Sequence, residues 1–242
     1  MMIRGDRRVL VLSAHSADFC SRAGGTILRL SLAGSQVQVY DMSYGERCES
    51  GGLWAENQNP TIDEVKAIRE KEIHAAAEIL GASIACFDFD DSPLVLGPGR
   101  RMRILEAVRE FRPDLVLTHW LHDVMHPDHV EAAQAAVWAC SYCSAPGIQT
   151  QHPPCPRPEL IFFETTSGTA PVSGFVPDLY VDITAVFDRK MAALETLKAQ
   201  SNLPPMYVIL GQYRAMEAKH SAGMRDCEYA EGFARFGRQA VS

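Results

Sequence analysis

The chain has 242 residues, with 23 Lys+Arg against 30 Asp+Glu and a formal net charge of −7. Hydrophobic residues make up 47% and charged residues 22%, which excludes a disordered chain and supports a core that needs no disulfide staples. The acidic balance argues against nucleic acid or an anionic membrane as partner, while local arginines can still hold an anionic substrate. At roughly 150 residues per domain, and with α/β folds often larger, residues 1–242 are expected to form a single domain. No apolar run reaches the ~18 residues of a membrane span, and the N-terminus leads into no secretory apolar stretch. The seven cysteines (Cys20, Cys48, Cys86, Cys140, Cys143, Cys155 and Cys227) are odd in number and scattered, as expected of a reduced, cytoplasmic chain. The lone C-x-x-C of Cys140 and Cys143 is read as structural.

Arg8–Ala14 is a short apolar, β-branched run expected to form a buried parallel strand. A helix is expected over Ser21–Ala33, a strand over Gln36–Met42, and a polar loop over Ser43–Pro60. A charged helix follows from Ile62 to Leu80, stopped by Gly81, then a strand over Ser83–Phe89 and a helix over Arg101–Phe111. Asp114–Thr118 reads as a strand, and the loop His119–His126 leads into a helix with Pro127 in its first turn. Ser144–Pro158 reads as irregular, Leu160–Glu164 and Leu179–Ile183 as strands, and Val186–Gln200 as an amphipathic helix. This alternation implies an α/β fold, a mostly parallel, Rossmann-like sheet with helices on both faces. Ligands of such sheets bind beyond the carboxyl ends of the strands, where His15–Asp18, Ser43–Ser50 and His119–His129 all fall. Neither G-x-G-x-x-G nor a P-loop is present, and Gly24-Gly25 reads as a close-packing pair.

Four of the eight histidines, His119, His122, His126 and His129, lie within eleven residues. In His126-Pro127-Asp128-His129 one imidazole can coordinate a metal while the other stays free for proton transfer. His15 and Asp18 follow the first strand. A His, an Asp and a second His make a ligand set with open positions, suited to catalytic Zn2+, with Fe2+ also fitting.

These residues carry a resemblance. Ala14-His15, Asp18, Gly24-Gly25-Thr26, Gly45-Glu46, His126-Pro127-Asp128-His129 and Tyr229-Ala230-Glu231-Gly232-Phe233 resemble the PIG-L (LmbE-like) superfamily of metal-dependent de-N-acetylases, in order over nearly the whole chain. The resemblance implies that His15, Asp18 and His129 hold the metal and that His126 is the free imidazole. One departure stands out. The family's usual Ala-His-Pro-Asp-Asp-Glu reads Ala14-His15-Ser16-Ala17-Asp18-Phe19 here, so Ala17 replaces the Asp that serves as general base. Losing a positioned base typically costs about 10²–10⁴-fold in rate. The Ala-Asp-Phe variant is similar to the 4-oxalomesaconate hydratases of gallate and protocatechuate 4,5-cleavage catabolism. So are the Met1-Met2 start, Ser43–Gly51, Leu53-Trp54 and Phe87–Leu94. That likeness implies water addition to 4-oxalomesaconate (4-carboxy-2-hydroxymuconate), a tricarboxylate, giving 4-carboxy-4-hydroxy-2-oxoadipate.

Such a reaction needs an acid/base, for which Glu46 is the first candidate and Glu49 the second, with His126 as proton-transfer partner. Arg47 is a candidate carboxylate clamp, and Arg22, Arg214 and His122 are further substrate-binding candidates. His119 is read as structural or lining the crevice, Asp128 as capping or orienting a ligand His, and Glu231 has no derivable role. An N-acetyl-sugar deacetylase using Glu46 or His126 as base is the alternative, followed by a non-catalytic module that keeps the metal cage. Related proteins often assemble, so a homo-oligomer is expected without a number.

Overall fold

The computed structural model describes residue 3 and residues 5–56 and 59–237, so the Met1-Met2 start and residues 57 and 58 of the Ser43–Pro60 loop lie outside it. The elements are β1 (Arg8–Ser13), α1 (Asp18–Leu32), β2 (Gln36–Asp41), α2 (Gly51–Glu56), α3 (Ile62–Leu80), β3 (Ser83–Cys86), α4 (Pro98–Phe111), β4 (Leu115–His119), α5 (Pro127–Tyr142), β5 (Glu159–Phe163), β6 (Leu179–Asp182), α6 (Phe187–Leu194), α7 (Leu203–Ser221) and β7 (Ala230–Arg235). They build one seven-stranded sheet in the order β3-β2-β1-β4-β5-β7-β6. The pairs from β3 to β5 are parallel, whereas β7 runs antiparallel between β5 and β6.

The apolar run of β1 serves both faces of the sheet. Val9 and Val11 pack with α1, α3 and α6, while Leu10 and Leu12 pack with α4 and α5, the alternation that a strand's period of two dictates. The chain turns to one side from β1 to β2 and later to the other side of β1 with β4. The crevice of this switch point lies between the ends of β1 and β4.

Local chemistry explains the boundaries. The Thr61 hydroxyl accepts from the Glu64 N–H and the Glu64 carboxylate accepts from the Thr61 N–H, a capping box that starts α3. Gly81, at φ 68°, ends it. Three expectations are corrected. The strand expected to reach Phe89 stops at Cys86, because Asp88 and Asp90 adopt left-handed backbone (φ 56° and 62°). The loop after β2 contains the short helix α2. The helix expected over Val186–Gln200 is α-helical only from Phe187 to Leu194; the Thr196 hydroxyl bonds back to the Ala193 carbonyl and Glu72 takes the Ala199 N–H.

Gly24-Gly25 serves close packing. A Cβ on Gly25 would lie 2.6 Å from Ile183 Cγ2. Gly25→Ala is therefore expected to cost about 1–3 kcal/mol of stability, read as a lower urea midpoint at constant slope. An unchanged midpoint would show that Ile183 moves aside freely. Glu231, on β7, accepts from the N–H groups of Gly25 (2.9 Å) and Thr26 (2.8 Å) and from Lys190 Nζ (2.7 Å). It ties β7 to the helix that carries Asp18. No helix among the described residues is long and apolar enough to cross a membrane.

Candidate metal centre and active site

The segments after β1, β2 and β4 meet in the crevice. Asp18 opens α1, and its carboxylate accepts from the His15 N–H at 2.9 Å and from Arg22 Nε at 3.1 Å. From the other wall, Pro127 starts α5 and sets His126 just before the helix and His129 in its first turn, their rings stacked 3.9 Å apart. His15 Nδ1 lies 3.4 Å from Asp18 Oδ2, and His129 Nε2 lies 3.4 Å from Asp18 Oδ1.

Which atoms are free decides what this cluster can hold. His15 Nδ1 and His129 Nε2 are buried and have no hydrogen-bond partner. Leaving such atoms unsatisfied costs about 1–3 kcal/mol each, so they are poised for a ligand. The opposite nitrogen of each ring is held by a carboxylate: His15 Nε2 meets Asp128 Oδ2 at 3.3 Å, and His129 Nδ1 meets Asp123 Oδ2 at 3.0 Å. A carboxylate behind each imidazole is the arrangement that orients a metal-ligating histidine. His15 Nδ1 and His129 Nε2, each 3.4 Å from an Asp18 oxygen, make with it an N,O,N combination of the chemistry that suits a divalent transition metal. His15, Glu49, His126 and His129 form an overlapping group of donors within 4.8 Å of one another, as do Asp18, His119 and His129, and His15, Cys48 and Asp91.

His119 is the least suited of these donors. Its Nε2 accepts the Ala14 N–H at 2.9 Å, which leaves the proton on Nδ1. Burial, with His129 alongside, pushes its pKa down to about 3, so it stays neutral and pins the β1 turn to β4. Asp123 was not among the residues singled out from sequence, and only its place in the loop after β4 marks it. Burial alone would raise its pKa, but hydrogen bonds from His129 and from the N–H and hydroxyl of Thr166 hold it well below the ordinary range. Asp128 orients His15, as expected, and also anchors the Ser92 and Leu94 N–H groups.

Of the two glutamates, Glu49 is the one beside the imidazoles. Glu49 Oε1 lies 3.4 Å from His15 Nδ1, 3.3 Å from His126 Nε2 and 3.8 Å from His129 Nε2. Burial would raise its pKa, but the surrounding imidazoles override this and hold it well below the usual range. Glu46 is fully buried with its carboxylate directed at Lys66 Nζ, 3.5 Å away, and belongs to none of the donor groups. The reason lies in the turn. Gly45, at φ 66°, reverses the chain, and the Asp91 carboxylate takes the N–H groups of Arg47 and Cys48. Residues 46 and 49 thereby face different ways. A Cβ on Gly45 would lie 3.0 Å from Glu49 Cβ and 3.2 Å from His15 Cβ, so only glycine lets these two side chains approach.

Of the substrate-binding candidates, two are committed elsewhere. Arg22 is buried on Asp18 and the Glu164 carbonyl. Arg214 is buried in a fork on the Glu164 carboxylate and also bonds Glu217. Arg47 is exposed and 3.5 Å from Asp90, and His122 is exposed with its ring 6.1 Å from that of Trp120.

The PIG-L model, described as GlcNAc-PI de-N-acetylase, matches residues 10–140, and the chain belongs to that family. Within it, the chain is 36% identical over 229 residues to the 4-oxalmesaconate hydratase of Pseudomonas putida KT2440, covering 93% of this chain and 88% of the relative. The crystal structure of the 4-carboxy-2-hydroxymuconate hydratase from the same bacterium superposes with a TM-score of 0.90 at 33% identity, over 99% of this chain and 98% of that one. The diacetylchitobiose deacetylase of Thermococcus kodakarensis is 29% identical, over 93% of this chain and 82% of the relative.

Proposed function

We propose that the chain is a hydro-lyase that adds water across the conjugated C=C of 4-oxalomesaconate (4-carboxy-2-hydroxymuconate) to give 4-carboxy-4-hydroxy-2-oxoadipate. One observation carries the reading: Glu49 Oε1 sits among the His15, His126 and His129 imidazoles, while the deacetylase base position is held by the buried methyl of Ala17. The similarity to the two hydratases supports the same substrate.

His15, Asp18 and His129 would hold the cofactor, zinc in this reading, with Fe2+ suiting the same N,O,N set. Such an ion supplies a Lewis acid that makes water a better nucleophile at neutral pH. Glu49 takes the proton from the adding water. His126, whose Nε2 is 3.3 Å from Glu49 and which is partly exposed, gives a proton to the substrate carbon. One O–H bond of water and the C=C π bond break, a C–O and a C–H bond form, and the proton taken by Glu49 passes to His126 Nε2, 3.3 Å away, which resets both groups with no other reactant. Arg47, exposed on the loop that also carries Glu49 and 3.5 Å from Asp90, is the proposed clamp for a substrate carboxylate. The seven free cysteines support a cytoplasmic location. The exposed row Met206, Ile209, Tyr213 and Met216 on α7 supports a homo-oligomer.

The test is loss of the substrate's conjugated chromophore on adding enzyme, run beside amine release from N-acetylglucosamine derivatives. Chromophore loss without amine release is expected. Amine release without chromophore loss would overturn the reading in favour of a deacetylase.

A further inference from the structure

Arg22 looks at first like a cation for the anionic substrate, but its contacts point inward. It lies four residues after Asp18 on α1, the spacing that stacks two side chains on one helix face. Its Nε donates to Asp18 Oδ1 at 3.1 Å, and its NH1 donates to the Glu164 carbonyl at 2.8 Å. Glu164 is itself clamped by the Arg214 fork, so the carbonyl that anchors Arg22 sits on a braced segment. Arg22 also lines an interior cavity with Ser21, Lys190, Tyr207 and Glu231; none of the four clustered imidazoles borders it.

We infer that Arg22 is a positioning residue. It fixes the Asp18 carboxylate in the orientation that a metal requires and balances the charge around it. The inference rests on the ligand set proposed above. Asp18 Oδ2 accepts the His15 N–H and has His15 Nδ1 at 3.4 Å and His119 Nε2 at 3.3 Å; Oδ1 accepts from Arg22 and has His129 Nε2 at 3.4 Å. Remove Arg22 and only the Oδ2 tether remains, so the carboxylate is free to rotate about it.

The charge argument is independent of this geometry. Five carboxylates border the centre: Asp18, Glu49, Asp91, Asp123 and Asp128. Among the described residues, Arg22 is the one Lys or Arg side chain that forms an ion pair with any of them; their other ion-pair partners are histidines. A divalent ion plus Arg22 leaves that group two charges short of neutral, and the ion alone leaves it three short. An anionic substrate meets less repulsion in the first case.

Zinc affinity of the full chain, stripped of metal and retitrated against a fluorescent chelator, tests this, with cobalt(II) absorption as a second readout of ligand geometry. Arg22→Met is expected to weaken zinc binding by about 10–100-fold and to shift the cobalt bands. Arg22→Lys is expected to lose less, because an ammonium reaches Asp18 but cannot also fork to the Glu164 carbonyl. Wild-type zinc affinity and spectrum in Arg22→Met, with a raised KM at constant kcat, would make Arg22 a substrate clamp and overturn the inference. Tighter zinc binding would overturn it too. Should Arg22→Met fail to fold, Arg22→Lys decides on the same readouts, a shifted cobalt spectrum supporting the inference and an unchanged affinity and spectrum overturning it. Failure of the wild-type chain itself to bind zinc sinks the ligand assignment and this inference with it.

Discussion

Glu49→Gln is expected to lower kcat by about 10²–10⁴-fold with metal content near that of the wild type, whereas Glu46→Gln is expected to leave kcat almost unchanged. The substitution keeps the shape of the side chain and removes its ability to take a proton. Glu49 Oε1 faces three imidazoles, and in the proposed reading it neighbours the His15, Asp18 and His129 set without being one of its three donors. Chemistry should therefore fail while binding of the ion survives. Glu46 is buried against Lys66, and burial raises its pKa, so a neutral glutamine replaces it at little cost to the reaction. The comparison needs kcat at saturating substrate and metal per chain by elemental analysis. A crippled Glu46→Gln beside a healthy Glu49→Gln would return the base to the residue favoured by sequence.

Stripping the divalent metal with a chelator is expected to take hydration to background, and added zinc to restore it. His129→Ala should reach the same background with no rescue. The physical ground is the pair of buried, unpartnered nitrogens on His15 and His129, each with a carboxylate on its far side. A cation that satisfies both also stabilises the folded chain by mass action, so the melting temperature should rise with zinc in the wild type and not in His129→Ala. A stripped chain that keeps full activity would end the scheme.

Much of this site was readable in the chain because its proposed ligands sit in two short motifs at strand ends. His15 and Asp18 are three residues apart at the mouth of β1, as are His126 and His129 at the start of α5. Helical turn geometry alone keeps each pair together. Strand β1 was equally plain, since an unbroken apolar run has only a doubly covered sheet to enter. The segment after α6 was not. Helix α7 buries Tyr207, Gly211, Arg214, Ala215 and Ala218 and exposes Met206, Ile209, Tyr213 and Met216, so its apolar stripe faces away from the core and no inward periodicity shows. Strand β7, Ala-Glu-Gly-Phe-Ala-Arg, is made of poor strand formers and is held by its neighbours on both sides.

Periodicity and spacings within one turn were enough for the α/β class, the crevice at the strand ends and the His15–Asp18 and His126–His129 pairs that meet there. The negative charge counted at the outset carried no such information about the pocket. Only the tertiary structure decided that Glu49 and not Glu46 faces the imidazoles, that Asp123 stands behind His129, and that Arg22 and Arg214 are bound internally. Each of those choices depends on where a side chain points after a left-handed turn, or on a partner more than forty residues away or on another element, and neither is written in local spacing.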